Sequence, residues 1–469
     1  MPPRLPPVLL LPTLLLPLAL TGCDGVRRAV AVPAHFTSHQ ICSAVFVGGL
    51  DADTFFAQGV TPQIRPGGAL TRYEVDRAKG TVTTHFAGLV ESTAVYEGPA
   101  GCRVLTAEDP PSGPRVPLPP ATPPLLPAIA GPAVVTPTDP ALTAALDRAF
   151  AEPDGAARRW TKAVVILREG KLVAERYAPG VGIDTPLIGW SMTKSVTNAL
   201  IGILVRRGEL TVDQRLEVPA WDHDVRRDIT VDSLLRMTSG LDFGQSLTAD
   251  WTSMADPTTQ MVYARADMAA MAESAPAKAA PGQAWTYSNG NTLLLSRLIK
   301  QRTGGGGADV LAFAHRELFD PLGMEHATLE LDATGTPIGS SHMWATARDW
   351  ARFGQLFLDD GVVGGRRLLP EGWVDYSARL TPGSEDCGYG AGFWTNRAGP
   401  DTDKGGAAAR RVRAGMPADS FMARGNQGQS IVIIPSAHLV IVRLGMSYLP
   451  EGDILALERL VADAVAAFK

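Results

Sequence analysis

The sequence predicts a mixed α/β fold, on three observations. From about residue 140 to the end, helical and strand signals alternate. The strongest strand signals of that stretch lie at its two ends, with helix-forming sequence between them, so a sheet must be assembled from distant parts of the chain. Ahead of it, proline is too dense for helix or central strand. The 469 residues, 45% hydrophobic and 19% charged, exclude both a disordered chain and one small domain. A formal charge of -5 with no long basic run gives no footprint for a phosphate backbone, so nucleic acid is not an expected partner.

The elements follow in chain order. Met1-Pro-Pro-Arg4, an apolar run from Val8 to Leu20 and the small residues before Cys23 predict an export signal over residues 1–22. Leu20-Thr-Gly-Cys23 resembles the bacterial lipobox, which implies a lipidated Cys23 and an exported, periplasmic or cell-envelope lipoprotein held at the bacterial membrane by that anchor. The alternative is plain secretion with Cys23 unmodified. Export permits disulfides, and Cys42 and Cys102 bracket one region, so a Cys42–Cys102 bridge is expected; two buried free thiols would be the alternative. No paired Cys/His spacing suggests zinc.

Residues 23–108 read as a small β-rich module, from runs such as Ala44-Val-Phe-Val47, Arg72-Tyr-Glu-Val75, Thr81-Val-Thr-Thr84 and Ser92-Thr-Ala-Val-Tyr96. Residues 109–139 are proline-rich, a linker or a strap laid over the surface. Residues 140–469 form one catalytic-sized unit. In it, Ala163–Leu167 and Lys171–Tyr177 predict a hairpin around Gly170. Val196, Ala199, Leu200, Ile203 and Leu204 give a helix one apolar face, and Gly208 stops it. Further helices are expected at 231–238, 265–273, 291–302, 309–318 and 347–358. Gln429–Ile434 and His438–Arg443 read as paired strands, and Asp453–Phe468 as a closing helix.

The sharpest chemical feature is Gly189-Trp-Ser191-Met-Thr-Lys194, where the amphipathic helix begins. Ser and Lys three apart share a helix face, so an amine can reach the hydroxyl. A serine needs a base to become a nucleophile. Lys194 serves if burial and the positive helix end depress its pKa. Only eight lysines are present, and no other has serine three residues before it. Trp285-Thr-Tyr287-Ser-Asn289 supplies a phenol able to relay a proton and an amide able to orient Lys and substrate. Phe421-Met-Ala-Arg-Gly425-Asn-Gln-Gly428-Gln-Ser-Ile-Val-Ile-Ile434 places glycines beside an apolar strand, where a substrate backbone can lie close; a tight turn explains the same glycines.

In this order, Ser-x-x-Lys, Tyr-x-Asn and a Gly-rich strand resemble the serine β-lactamase and penicillin-binding-protein family over roughly residues 140–469. Leu234-Leu-Arg-Met-Thr-Ser-Gly-Leu241, Leu322-Gly-Met324, Ala347-Arg-Asp-Trp-Ala-Arg-Phe-Gly354 and Gly425-Asn-Gln-Gly-Gln429 resemble its class C branch, and within it the 6-aminohexanoate-dimer (nylon-oligomer) hydrolases and related esterases. The resemblance implies a β-lactamase/DD-peptidase-like antiparallel sheet flanked by helices, with an inserted helical subdomain. It implies Ser191 as the acylated nucleophile, Lys194 as its base, Tyr287 as proton relay and Asn289 in support. The amides of Ser191 and Gln429 would form the oxyanion hole, with Gln427 and Gly428 alongside. Tyr263 and Tyr389 are the candidates for a further substrate-binding tyrosine. Lactamases carry Lys-Thr-Gly at the third motif and this chain offers Asn426-Gln427-Gly428, with Arg424 nearby, which favours neutral amides or esters over β-lactams. The expected function is hydrolysis of a small amide or ester through an acyl-enzyme on Ser191, with no metal or cofactor. A penicillin-recognising sensor, a D-Ala-type peptidase or a β-lactamase of the cell envelope would use the same motifs.

Among the eight histidines, Asp222-His223-Asp224 reads as a solvated loop and His342 as either a capping residue or a base. Gly304–Gly307 lacks the Lys-Ser/Thr of a phosphate loop and reads as an interhelical connection.

Overall fold

The computed structural model describes residues 24–109, 118–154, 158–244, 253–397, 406–448 and 454–468. The expected signal segment and Cys23 lie outside the described residues.

The described residues open with helix α1 (Asp24–Phe46), which is followed by a four-stranded antiparallel sheet, β1 (Thr71–Asp76), β2 (Thr81–Phe86), β3 (Val90–Tyr96) and β4 (Cys102–Val104). Ala44–Val47 is therefore the end of a helix and its following turn, not a strand. The reason is burial. Thr37, Ser38, His39, Gln40 and Ser43 are all buried in α1, so the helix is covered on polar as well as apolar sides and shows no simple apolar stripe. Cys42 of α1 and Cys102 of β4 are disulfide-bonded.

The larger unit is built on a six-stranded antiparallel sheet. Its strands are β5 (Thr161–Arg168), β6 (Lys171–Tyr177), β7 (Trp394–Thr395), β8 (Phe421–Gly425), β9 (Gln429–Ile434) and β10 (Leu439–Gly445), in the order β7-β8-β9-β10-β5-β6. β5 and β6 join through Glu169 (φ 51°) and Gly170 (φ 74°), the two left-handed residues that a tight hairpin turn requires. The first strands pair with the last, Val165 opposite Val442 and Ile166 opposite Ile441. Alternate side chains serve two cores. Val164, Ile166, Val432, Ile434 and Ile441 pack with α2 (Pro140–Phe150) and the closing helix, through Leu142, Leu146, Leu457, Leu460 and Val461. Val165, Leu167, Ile431, Ile433, Val440 and Val442 face the main core. That core also holds α3 (Thr193–Arg206) and, after α4 (Gly290–Arg302), the helix α5 (Ala347–Leu358) with Trp350, Phe353 and Leu356; the closing helix is α6 (Ala456–Ala467). Covered on both faces, the sheet needs continuous apolar runs such as Ile431-Val-Ile-Ile434, each fully buried Ile or Val contributing about 1.5–3 kcal/mol.

Between α3 and β7 the chain forms a helical region, with helices at Val231–Leu235, Pro257–Tyr263, Met268–Glu273, α4, Gly307–Ala314 and α5. Gly304–Gly307 connects α4 to the next helix, and Asp222–Asp224 is exposed. The described part of the proline-rich segment is a strap. Leu125 and Leu126 donate to the Pro321 carbonyl, and backbone bonds join Ile129 to Leu172 and Val135 to Glu175. No described helix is long and apolar enough to cross a membrane.

Candidate active site

Ser191 sits in a one-turn 3-10 segment, Trp190–Met192, that leads into α3. Two close approaches fix it. A side chain at Gly189 would come within 2.4 Å of the Trp350 ring, and one at Gly425 within 2.1 Å of the Gly189 carbonyl and 3.0 Å of the Ser191 amide nitrogen. Only glycine lets the end of β8 lie this near the serine. Trp190 adopts φ 47°, a conformation costing a non-glycine residue about 1–3 kcal/mol, so the turn is held rather than relaxed.

Lys194, on the first turn of α3, is 2% exposed. Its Nζ lies 3.2 Å from Ser191 Oγ, 2.7 Å from Asn289 Oδ1 and 2.8 Å from the Ser340 carbonyl oxygen. An ammonium would donate to all three. A neutral amine has two N–H donors and one lone pair; the two carbonyl oxygens can only accept, so they take both donors and leave the lone pair facing the Ser191 hydroxyl. Burial without a carboxylate partner pushes the Lys194 pKa down to about 7. Asn289 precedes α4 at its N-cap but makes no capping bond, its side-chain oxygen being turned to Lys194 instead.

Tyr287 lines the cavity beside Ser191, and its ring lies 4.9 Å from Lys194 Nζ. Burial raises its pKa to about 12, against the opposing influence of the nearby Ser191 hydroxyl and Arg424 charge. The ring is wedged against Tyr389 and Trp394, with centroids at 5.7 and 5.3 Å. Ser191, Tyr287 and Asn289 line a cavity of about 250 Å³ with Trp190, Tyr263, Ser341, Trp394, Arg424, Gly425 and Asn426.

Of the residues the sequence nominated, Ser191, Lys194, Tyr287 and Asn289 converge. Gln427, Gly428 and Gln429 do not line the cavity. The Gln429 amide donates to the Asn426 carbonyl, and its side chain is exchanged with the Gly445 backbone. The Gly428 carbonyl accepts from Arg443, and the Gln427 side chain points away into buried bonds. A tight turn at 426–428, with Gln427 at φ 60° and Gly428 at φ 82°, separates β8 from β9, and the cavity faces the β8 side of it. The stretch of the Gly-rich segment that reaches the cavity is thus Arg424-Gly425-Asn426, and it brings a guanidinium to the cavity wall. Tyr263 lines the cavity, whereas Tyr389 is fully buried behind Tyr287.

Sequence reasoning missed Ser340 and Ser341, and named Asn426 only as part of the third motif. Ser340 acts through its carbonyl, and a backbone atom leaves no residue-type signal. His342 starts no helix; it precedes the short strand Met343–Ala345. It is fully buried, its Nδ1 2.7 Å from Ser341 Oγ and its Nε2 3.1 Å from Gln40 Nε2, and it stacks on His39 at 4.6 Å. Burial and the neighbouring His39 and Lys194 charges hold its pKa well below the usual value. His39 in turn contacts Glu330, which also accepts from Ser43 Oγ and the Cys102 amide. The ligand atoms of His39, Glu330 and His342 lie within 4.8 Å of one another, but hydrogen bonds within the protein engage them and make the group a junction between α1 and the larger unit.

A family model described as Beta-lactamase matches residues 146–466. The chain is 26% identical over 308 residues to the 6-aminohexanoate-dimer hydrolase of Paenarthrobacter ureafaciens, covering 62% of this chain and 74% of that one. A Bacillus anthracis structure, provisionally assigned as a 6-aminohexanoate-dimer hydrolase, superposes with a TM-score of 0.52 at 25% identity, covering 66% of this chain and 79% of that one. A penicillin-binding-protein homolog from Caulobacter crescentus superposes with a TM-score of 0.52 at 20% identity, over 71% of this chain and 99% of that one, a likeness of fold.

Proposed function

The chain belongs to the beta-lactamase family and has its serine-hydrolase fold, and from that premise we propose that it cleaves small amides or esters through an acyl-enzyme on Ser191. The observation that carries this reading is the Lys194 amine, buried, depressed to about 7 and 3.2 Å from Ser191 Oγ. Lys194 takes the Ser191 proton as the oxygen attacks the carbonyl carbon. The oxyanion so formed is held by backbone amides, which we assign to Ser191 and to Asn426, the residue after the Gly425 that lies against the Ser191 nitrogen. Tyr287, protonated at neutral pH, gives its proton to the leaving amine or alkoxide. Water then attacks the ester by the reverse route, freeing the acid and Ser191.

The cavity is small and its aromatic walls, Trp190, Tyr263, Tyr287 and Trp394, suit a short acyl group packed on ring faces. The 6-aminohexanoate-dimer hydrolase relative points the same way, to an ω-amino-acid amide. A panel of p-nitrophenyl esters, ω-amino-acid amides, D-alanyl peptides and a chromogenic cephalosporin tests the proposal. Turnover of the first two is expected. A stable adduct without product release would instead favour a penicillin-recognising sensor, and D-alanine release a peptidase.

We also propose that the protein is exported and lipid-anchored through Cys23. The Cys42–Cys102 disulfide supports the export, since such bonds persist in oxidising compartments. Intact mass of the membrane-extracted protein decides it, a diacylglyceryl adduct on Cys23 being the expected species.

A further inference from the structure

The two proposed oxyanion amides belong to residues adjoining two strained neighbours, Trp190 before Ser191 and Gln427 after Asn426, at φ 47° and φ 60°. These neighbours are bonded to each other, since Trp190 Nε1 donates to Gln427 Oε1 at 3.0 Å. The Gln427 amide nitrogen then donates to the Gly59 carbonyl at 2.7 Å and to Tyr448 Oη at 2.8 Å. Gln63 completes the arrangement, donating to the same Gly59 carbonyl at 2.9 Å and accepting from Asn426 Nδ2 at 2.7 Å. Gln427 is 1% and Gln63 6% exposed, so water does not compete for the Trp190–Gln427 bond or for the two bonds on the Gly59 carbonyl. Gly59 and Gln63 lie in the short helical turns Phe56–Val60 and Thr61–Gln63, between α1 and β1, far outside the residues that the family model matches.

We propose that Gln427 and Gln63 are positioning residues: anchored on the Gly59 carbonyl, they set the spacing of the Ser191 and Asn426 amides, so that the N-terminal segment is a working part of the active site. This rests on the acyl-enzyme reading. Neither side chain touches substrate. They act by holding two backbone segments whose natural conformations would relax elsewhere, and a misplacement of about 1 Å at a catalytic donor can cost on the order of 100-fold in rate.

The test uses the full chain with Gln427→Met and Gln63→Leu, which keep volume and remove the bonds. Active sites are titrated with a fluorophosphonate, so that kcat is counted per competent molecule. For a p-nitrophenyl ester, kcat per titrated site is expected to fall about 10- to 100-fold. KM should change less than about threefold, and Ki for a boronic acid, whose tetrahedral adduct uses the same amides, should rise in step with the kcat loss. Unchanged kcat per titrated site in both variants overturns the proposal, as does a loss confined to the fraction of titratable sites, since that is a folding effect. If the wild type neither turns over the ester nor is labelled on Ser191, the acyl-enzyme reading itself fails and takes this inference with it.

Discussion

The Asn289 side-chain oxygen lies 2.7 Å from the Lys194 amine and carries no charge, so it does not offset the lowering of the Lys194 pKa by burial. A carboxylate there would favour the ammonium. Burial alone brings the Lys194 pKa down to about 7, and an adjacent anion raises such a group by about 1–3 units. Asn289→Asp should therefore move the rising limb of kcat/KM upward by about 1–3 pH units. Activity at pH 7 falls accordingly and much of it returns on the alkaline side. A pH profile of ester hydrolysis measures it, and an unmoved limb would remove Asn289 from the Lys194 environment.

Tyr287 separates two kinds of substrate. Its phenol, raised to about 12, remains an acid through neutral and mildly alkaline pH. Tyr287→Phe retains the ring between Tyr389 and Trp394 and deletes the proton. For an amide, whose amine must be protonated to leave, kcat should drop about 100- to 10,000-fold. A p-nitrophenyl ester, whose leaving group departs as an anion, should lose far less. Equal losses on both would contradict the relay.

The junction between α1 and the larger unit turns on Glu330, which accepts from Ser43 Oγ at 2.6 Å and from the Cys102 amide at 3.0 Å. Glu330→Ala orphans both buried donors, at about 1–3 kcal/mol each. Denaturant titration should show the loss, and limited proteolysis should release the N-terminal segment first.

How far the sequence disclosed this molecule depends on what each part was built from. The sheet was legible because β5, β9 and β10 are apolar on both faces, which leaves uninterrupted Val/Ile runs. Ser191, Lys194, Tyr287 and Asn289 were legible because their chemistry resides in side chains at short, fixed spacings. The helix α1 was hidden by its own burial, since Ser38, His39, Gln40 and Ser43 face partners nearly 300 residues away such as Glu330 and His342, or Ser92 in the small sheet. The third motif was displaced by a few residues for a similar reason. Gly425 and Gly428 look alike in sequence, and only the three-dimensional path shows that Gly425 lies against the Ser191 nitrogen while Gly428 lies against Arg443. A role carried by a backbone atom, as at the Ser340 carbonyl or the proposed Asn426 amide, leaves no mark in residue type.

The most direct test of the Lys194–Ser191 mechanism is the pH dependence of Ser191 acylation, followed as the burst of p-nitrophenol from an ester and as the added mass of the acyl group on that residue. The burst rate is expected to rise with pH to a midpoint near 7, the point at which the buried amine loses its proton, and to vanish in Ser191→Ala and Lys194→Ala. A midpoint in the ordinary lysine range above about 10, or a burst surviving in Lys194→Ala, would contradict the account.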